Sequence, residues 1–338
     1  MLTLNYIIKR IFISILLILG IVAITFILTQ FTPGDPAVIW AGKPRGPGAA
    51  IAIAKAREYL GLNLPIYQRL ALHIYRFFVG DWGLSVEFKQ PVSYLVVRNF
   101  VASLEIVIYS FAIAIPLSMW MGTKASLSRG GLADKCIYFV SVILAGMPRF
   151  LVAALIYLAL YIVGYGYLGL RVAPMYTTFS GPTGIITIDS LLLGRLDIFI
   201  DSFLRLIPTA IALSTYPIGV VARVVRVSLS ETLEEEYVRE AISLGLPRKV
   251  VVNKYARPNI VPVIAQLVGL LFSYMILETM VIENVFSREG LGTLISRAIA
   301  ASDYPLIIGA TVFTAIVLIV VNTLADIVQA ITNPRVQL

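Results

Sequence analysis

Six long apolar runs limit what this chain can fold into, because each approaches the roughly 20 residues that a helix needs to cross a bilayer. They lie at about 11–29, 100–123, 137–162, 206–226, 260–282 and 306–325. Hydrophobic residues make up 59% of the 338 residues, charged residues only 14%, and the mean hydropathy is +0.89. Soluble domains have about a quarter charged residues. The sequence therefore predicts an all-α polytopic membrane protein with six transmembrane helices.

The first run, within residues 1–32, is predicted to remain in the protein as a span. It follows Lys9-Arg10 and carries no charge from Ile11 to Thr29, as the apolar core of a signal peptide would. However, such a core has only about 7–15 residues and is followed by small residues at a cleavage site. Here the run is longer, and Gln30-Phe31-Thr32-Pro33 follows it.

Lysine and arginine in the short connections predict the orientation, because short cytoplasmic loops carry an excess of both. The segment 33–98 also carries basic residues, but long loops are largely exempt from this rule. With the N-terminus inside, both termini are cytoplasmic in a cell (plasma or inner) membrane. The cytoplasmic basic residues are then Lys9, Arg10, Lys124, Arg129, Lys135, those of the stretch Arg223–Arg257, and Arg335. Residues 33–98 and a loop at about 163–203 lie outside, and a loop at about 228–258 lies inside.

The external residues 33–98 are predicted to form a small cap. They begin with turns rich in Pro and Gly, such as Lys43-Pro44-Arg45-Gly46-Pro47-Gly48. Two amphipathic helical stretches follow, at about Ala49–Leu60 and Tyr67–Val79. Because connections of this length usually have a function, the cap is a candidate surface for an external partner.

The segment Glu231–Pro262 is unusually rich in charge and lies between the fourth and fifth apolar runs. One helical face within it is apolar and consists of Tyr237, Val238, Ala241 and Ile242. Gly245 and Pro247 end this helix, because glycine readily adopts the left-handed conformation found at helix C-termini. A second helix is predicted from about Arg248.

A helix, a turn and a second helix can dock in a groove of a partner protein. The alternative is a helix that lies on the lipid surface. Four glutamates argue against binding to anionic lipid. They are Glu234, Glu235, Glu236 and Glu240.

This segment resembles the cytoplasmic loop of permease subunits of binding-protein-dependent ABC importers, in the dipeptide/oligopeptide family. The family pattern is EAA-x₃-G-x₉-I-x-L-P, and the chain has Arg239-Glu240-Ala241, Gly245 and Pro258 at the same spacing. It departs from the pattern at Arg239, where the family has Glu, and at Tyr255-Ala256-Arg257, where the family has Ile-x-Leu.

Further family elements occur along nearly the whole chain. They are Thr32-Pro33-Gly34-Asp35-Pro36, Gly61-Leu62-Asn63-Leu64-Pro65, Gly80-Asp81-Trp82-Gly83-Leu84-Ser85, Asn284-Val285-Phe286-Ser287 with Gly290-Leu291-Gly292, Asp303-Tyr304-Pro305 and Asn333-Pro334-Arg335-Val336. The resemblance implies an ABC importer permease of type I, with its core at 99–338.

The resemblance also implies a mechanism and a set of partners. The chain would form half of a translocation path for peptides, together with a second homologous permease subunit. Two cytoplasmic ABC ATPase subunits would bind ATP and Mg²⁺, an external binding protein would deliver substrate, and membrane lipid would surround the spans. The residues expected to couple the chain to an ATPase are Tyr237, Arg239, Glu240, Ala241, Ile242 and Gly245. Among these, Tyr237 and Ile242 would be apolar anchors, and Ala241 would let the partner approach closely.

No catalytic or metal site is predicted, and no cofactor is expected in this chain. A P-loop needs a lysine followed by Ser or Thr, and no lysine here is. Cys136 and His73 are the only residues of their types, which excludes an internal disulfide and argues against a Cys/His metal cluster. The net charge of +8 does not indicate nucleic acid, since no block of consecutive basic residues occurs.

Arg149 lies near the middle of the third apolar run, and a charge at membrane depth points to function. Together with Glu278 it is a candidate for the substrate path, where it could meet a carboxylate or a backbone carbonyl. The alternative is a structural ion pair between Arg149 and either Glu105 or Glu278. Both interpretations remain open.

The residues of the chain do not decide which solute it carries. The same type of permease could import oligosaccharides or metal chelates. A secondary transporter driven by an ion gradient would need intramembrane carboxylates or broken helices at corresponding positions of two halves, which the sequence does not indicate. A structural membrane anchor would need neither the long charged loop nor the external cap.

Overall fold

The computed structural model describes residues 4–31, 35–42, 44–165 and 169–332. The helices are α1 (Leu4–Phe31), α2 (Pro36–Trp40), α3 (Ala49–Tyr59), α4 (Ile66–Val79), α5 (Val92–Leu127), α6 (Leu132–Gly146), α7 (Arg149–Ile162), α8 (Ile186–Leu192), α9 (Leu196–Leu233), α10 (Glu236–Ser243), α11 (Arg248–Val250), α12 (Arg257–Phe286), α13 (Leu291–Ala300) and α14 (Tyr304–Thr332). A 3₁₀ turn covers Pro174–Tyr176, and a π-helix covers Val251–Ala256. Within the described residues no strand is formed, only one antiparallel bridge between Leu84 and Pro91. The prediction of an all-α protein is confirmed.

The predicted spans coincide with α1, α5, the pair α6 and α7, α9, α12 and α14. By length and composition, four segments of the described chain could cross a membrane, namely Ile7–Ile27, Val92–Leu127, Arg248–Phe286 and Tyr304–Ile327. The pair α6 and α7 would add a fifth if it is one span, although its two helices meet at 98°. The predicted fourth span, α9, is not among them, so the count of six remains a prediction.

The long helix α9 forms the centre of one of two compact units, which we call unit 1 and which is built mainly from Ser103–Glu289. It packs against α6, α7, α8 and α12. Gly219 allows the close approach to α6, because a β-carbon there would lie 2.5 Å from the carbonyl oxygen of Ser141. A helix so largely buried in protein does not need the apolar surface of a lipid-facing helix, and α9 contains Arg205, Arg223 and Arg226.

Unit 2 is built from Thr3–Ala102 and Gly290–Thr323. The two amphipathic helices predicted for the cap are confirmed as α3 and α4, and α4 packs against α1. An aromatic cluster stabilises this unit. Trp82 stacks on Phe77 with ring centroids 4.9 Å apart, and Phe313 packs at an angle on both Trp82 and Phe100.

Parts of the sequence motifs lie outside the described residues. These are Thr32-Pro33-Gly34 of the first external turn and Asn333-Pro334-Arg335-Val336 near the C-terminus, including the predicted cytoplasmic Arg335. Of the two remaining residues of this turn, Pro36 begins α2, and Asp35 accepts a hydrogen bond from the backbone N–H of Ala37 at 2.9 Å and pairs with Arg57.

Candidate functional site

The charged loop folds as the sequence predicts, into a short helix that ends sharply at a glycine. Gly245 has φ +76°, in the left-handed region, and directly follows α10 and its C-cap residue Leu244. The N–H groups of Leu244, Gly245 and Leu246 donate to the carbonyls of Glu240, Ile242 and Ala241 at 3.0, 3.0 and 3.3 Å. These bonds satisfy carbonyls that a helix end leaves open. Pro247 then caps α11.

The apolar face of α10 is divided between a buried half and an exposed half. Val238 and Ala241 pack on Val251 in a small core of the loop, and Ala241 is only 4% exposed. Tyr237, Ile242 and Leu244 are exposed instead, Leu244 to 75%.

This division corrects the role expected for Ala241. Its side chain fills the core of the loop and cannot also form the outer contact surface. The other five candidate residues are all exposed, and they are Tyr237, Arg239, Glu240, Ile242 and Gly245. The outward surface of α10 is therefore apolar at Tyr237 and Ile242, and charged at Arg239 and Glu240.

Side-chain contacts connect the loop to the long helices of unit 1. Asn259, in the first turn of α12, donates from Nδ2 to the hydroxyl of Tyr237 at 2.8 Å. Arg248 donates to the carbonyl of Leu127 at the end of α5 at 3.1 Å, and Arg257 donates to the hydroxyl of Thr123 at 3.2 Å. These hydrogen bonds tie the loop to the adjacent ends of α5 and α12.

A π-helix joins the loop to α12. It covers Val251–Ala256, of which Val251, Val252 and Ala256 are buried. Pro258 lies in the first turn of α12, directly after the π-helix. Because proline has no backbone N–H, it donates no hydrogen bond at this position. Since π-turns are rare and often occur at functional sites, this junction adds to the evidence that the loop has a function.

Arg149 lies at the break between α6 and α7, as the first residue of α7 rather than in the middle of a continuous helix. It forms an ion pair with Glu278 of α12, and its guanidinium lies 4.1 Å from the centroid of the Tyr216 ring on α9. The pair is incompletely buried, with side-chain exposures of 23% and 28%. The structural pair considered from the sequence is present, with Glu278 as the partner, and the substrate-path role of the two residues remains a prediction.

Glu105 has different partners, which the sequence did not indicate. It accepts hydrogen bonds from Arg171 at 2.9 Å and from the backbone and hydroxyl of Thr187 at 3.0 and 2.8 Å, and it is 1% exposed. Arg288, equally buried, lies 3.9 Å away. Burial lowers the pKa of Arg288, which follows the end of α12. This network fixes the loop between α7 and α9 to α5.

Comparison with known proteins identifies the family. The family model described as binding-protein-dependent transport system inner membrane component matches residues 114–338, and the model of the N-terminal part of such membrane components matches residues 3–117. The chain belongs to this family. It is 30% identical to the dipeptide transport system permease protein of Escherichia coli K12 and 32% identical to the di/tripeptide transport system permease protein of Pseudomonas aeruginosa, each over 99% of both chains. It is 29% identical to a probable D,D-dipeptide transport system permease protein of Escherichia coli, over 95% of this chain and 94% of the relative.

The chain is thus a multi-pass membrane permease of a binding-protein-dependent ABC transport system. Two of the family elements found in its sequence meet in unit 2 of the permease. Ser85 donates to the buried carboxylate of Asp303 at 2.5 Å, and the backbone N–H groups of Glu87 and Leu306 donate to the same carboxylate at 3.0 and 3.2 Å. These elements therefore have a structural role, which is to hold the strand-like segment before α5 against the start of α14.

Proposed function

We propose that this permease forms half of a path by which short peptides enter the cell, together with a second, homologous permease subunit. The observation that carries the proposal is the similarity over almost the full chain to permeases named for dipeptides, di/tripeptides and D,D-dipeptides. ATP and Mg²⁺ are bound by two cytoplasmic ATPase subunits, and an external binding protein delivers the peptide. Both termini are cytoplasmic, with 33–98 and about 163–203 outside.

The chemistry of Arg149 and Glu278 supports a peptide as the solute. A short peptide carries one ammonium and one carboxylate group, and the pair offers a partner of opposite charge to each. The aromatic ring of Tyr216 lies beside the pair. This ring and the carboxylate of Glu278 could together bind the ammonium group of the peptide. Because the pair is partly exposed, a peptide can compete for either member without first breaking a sealed ion pair.

The outward surface of α10 supports the proposed coupling to an ATPase. An exposed apolar group is costly unless a partner covers it, and Tyr237, Ile242 and Leu244 lie together on this short segment. Tyr237 also binds Asn259 of α12, so the same residue that contacts the ATPase would transmit its movement to a membrane helix. Alternating access then follows as the ATPase dimer closes and opens.

Transport tests the proposed substrate. The permease should be reconstituted in vesicles with a partner permease, ATPase subunits and a binding protein, and with ATP on the side of the ATPases. Labelled dipeptide should accumulate only when ATP and the binding protein are both present. Accumulation of an oligosaccharide or a metal chelate under the same conditions, without accumulation of peptide, would replace the proposed substrate.

Footprinting tests the proposed docking surface. Single-cysteine variants Ile242→Cys and Leu244→Cys should be made in a Cys136→Ser background, since Cys136 is exposed. Bound ATPase should protect both from a thiol reagent. Leu132→Cys is the matched control, because Leu132 is 79% exposed, begins α6 after another connection of unit 1 and lies in a stretch predicted to be cytoplasmic. Equal labelling of all three with and without ATPase would contradict the assignment.

A further inference from the structure

The helix α4 of unit 2 has its polar and apolar sides reversed relative to a helix of a soluble domain. Its exposed side is mainly apolar, and Tyr67, Tyr75 and Phe78 on it are each at least 60% exposed. These residues, with Ala71, recur at intervals of three or four positions and so lie on one face. A soluble amphipathic helix would turn such a face towards its core.

The opposite face of α4 carries its two arginines and its histidine and points into the protein. The guanidinium of Arg69 lies 5.8 Å from the ring centroid of Phe26, and the ring of His73 lies 5.5 Å from the same ring. Arg76 stacks on Tyr59 at 3.8 Å. The inward position of these groups leaves the aromatic face of α4 turned away from the rest of unit 2.

The contact with Phe26 places α4 at the level of the membrane. Phe26 belongs to α1, one residue before the end of the apolar segment Ile7–Ile27. It lies five residues before the end of α1 at Phe31, which is about 7.5 Å at 1.5 Å per residue. The side of α4 that touches α1 is therefore at the boundary between the apolar part of a membrane helix and water.

The start of α14 lies at the same level. A cavity of about 180 Å³ is lined by Phe26, by Arg69, His73 and Arg76 of α4, and by Tyr304 and Pro305 at the start of α14. At their other ends α1 and α14 also meet, where the hydroxyls of Ser14 and Thr323 are 2.7 Å apart. The two membrane helices thus run antiparallel, and α4 lies beside one pair of their ends.

We propose that α4 is an interfacial helix whose Tyr67, Tyr75 and Phe78 face contacts phospholipid in the leaflet around the Phe31 end of α1. Tyrosine is enriched at this depth of a bilayer, because its ring is apolar and its hydroxyl can reach water or a headgroup. Val79, 62% exposed at the C-terminal end of α4, adds apolar surface beside Phe78. The cap would then be seated on the bilayer through α4 instead of projecting freely from it.

Fluorescence quenching in vesicles tests this contact directly. The full-length chain, in a Cys136→Ser background, should carry a single environment-sensitive fluorophore at Tyr75→Cys or Phe78→Cys. The matched control is Lys55→Cys on the neighbouring helix α3, which is also exposed and belongs to the same unit. Each protein is placed in phosphatidylcholine vesicles and quenched either by spin-labelled phosphatidylcholine or by aqueous iodide.

The proposal expects spin-labelled lipid to reduce emission at positions 75 and 78 but not at 55, and iodide to give the opposite order. Iodide quenching at 75 and 78 as strong as at 55 would place the face in water and overturn the proposal. Protection of 75 and 78 from both quenchers would mean that protein covers the face, which would also overturn it. Tyr67→Cys provides a second reading of the same face if either variant fails to insert.

Discussion

Replacement of Gly245 by aspartate separates the fold of the charged loop from its proposed contact with an ATPase. The backbone at Gly245 is left-handed, and a β-carbon added there would meet no other atom within 4 Å. The substitution therefore causes no steric clash, and its cost to folding comes from the backbone conformation alone. A left-handed conformation costs an L-residue roughly 1–2 kcal/mol, and aspartate lies towards the lower end because it tolerates this region.

Gly194 provides a control with nearly the same local structure. It follows α8, has φ +68°, and a β-carbon there would also meet no atom within 4 Å. The N–H groups of Leu193, Gly194 and Arg195 donate to carbonyls four, three and five residues earlier, as they do around Gly245. Gly194→Asp should thus cost the same free energy of folding, but in a loop that is predicted to lie outside the cell.

The two variants should differ in coupling. Both should insert, with equal small losses in thermal stability, but only Gly245→Asp adds a carboxylate to the proposed ATPase contact. A loss of about 1.4 kcal/mol from that contact raises the dissociation constant about tenfold. We expect weaker ATPase binding and slower transport for Gly245→Asp, and near-parental values for Gly194→Asp. Gly245→Ala, which strains the backbone without adding charge, should lie between them.

Co-purification with the ATPase and peptide uptake, both normalised to inserted permease, are the measurements. The reasoning would be refuted if Gly245→Asp bound its ATPase and transported at the parental rate. It would equally be refuted if Gly194→Asp and Gly245→Asp lost transport to the same degree, since backbone strain alone would then explain the effect.

Three further predictions follow from other contacts. Arg149→Glu should destabilise the permease, and the double variant with Glu278→Arg should regain stability in a thermal assay. If the pair binds substrate, peptide uptake should stay low in the double variant. Recovered uptake would indicate a purely structural pair. Asp303→Ala leaves buried donors from Ser85, Glu87 and Leu306 without their acceptor and should cost about 1–3 kcal/mol in unfolding experiments, whereas Asp197→Ala, which removes an exposed ion pair with Arg195, should change stability little. Burial and then Arg76 lower the pKa of His73 below its ordinary value of 6.5. The stability that the neutral imidazole contributes is therefore present above pH 6.5 and is lost as the pH falls through the lowered pKa. His73→Gln should reduce the decline of the melting temperature on acidification, and an unchanged decline would exclude this histidine as its cause.

The apolar runs and the end of α10 could be predicted because both depend on short stretches of sequence. A membrane helix needs about 20 apolar residues in succession, and a helix terminus needs a residue that tolerates a left-handed backbone. Gly245 with Pro247, and the two helical stretches of the cap, are signals of this kind. The two cap helices begin and end within a residue of their predicted bounds, and Gly245 follows α10 as predicted.

Contacts between distant residues could not be predicted in this way. Ala241 belongs to the apolar face of α10, but its burial depends on Val251, which returns to it only after the turn at Gly245. Glu105 is paired by Arg171, 66 residues later, from a loop without a periodic pattern. The break between α6 and α7 contains Pro148, but a proline inside an apolar run indicates a kink without giving the 98° angle between the two helices.

The contacts around the charged loop suggest how a movement of the ATPase would reach the membrane helices. The loop has a core of its own, in which Val238 and Ala241 of α10 pack on Val251, so α10 and the π-helix must move together. Arg248 of α11 attaches the loop to α5, Arg257 at the start of α12 also contacts α5, and Tyr237 attaches α10 to α12. Bending within the loop would expose its apolar core. We therefore expect a displacement of α10 to shift the ends of α5 and α12 instead. Glu278 lies on α12, so the same shift changes its position relative to Arg149 on α7, and the proposed docking surface and the proposed peptide site are linked through one helix.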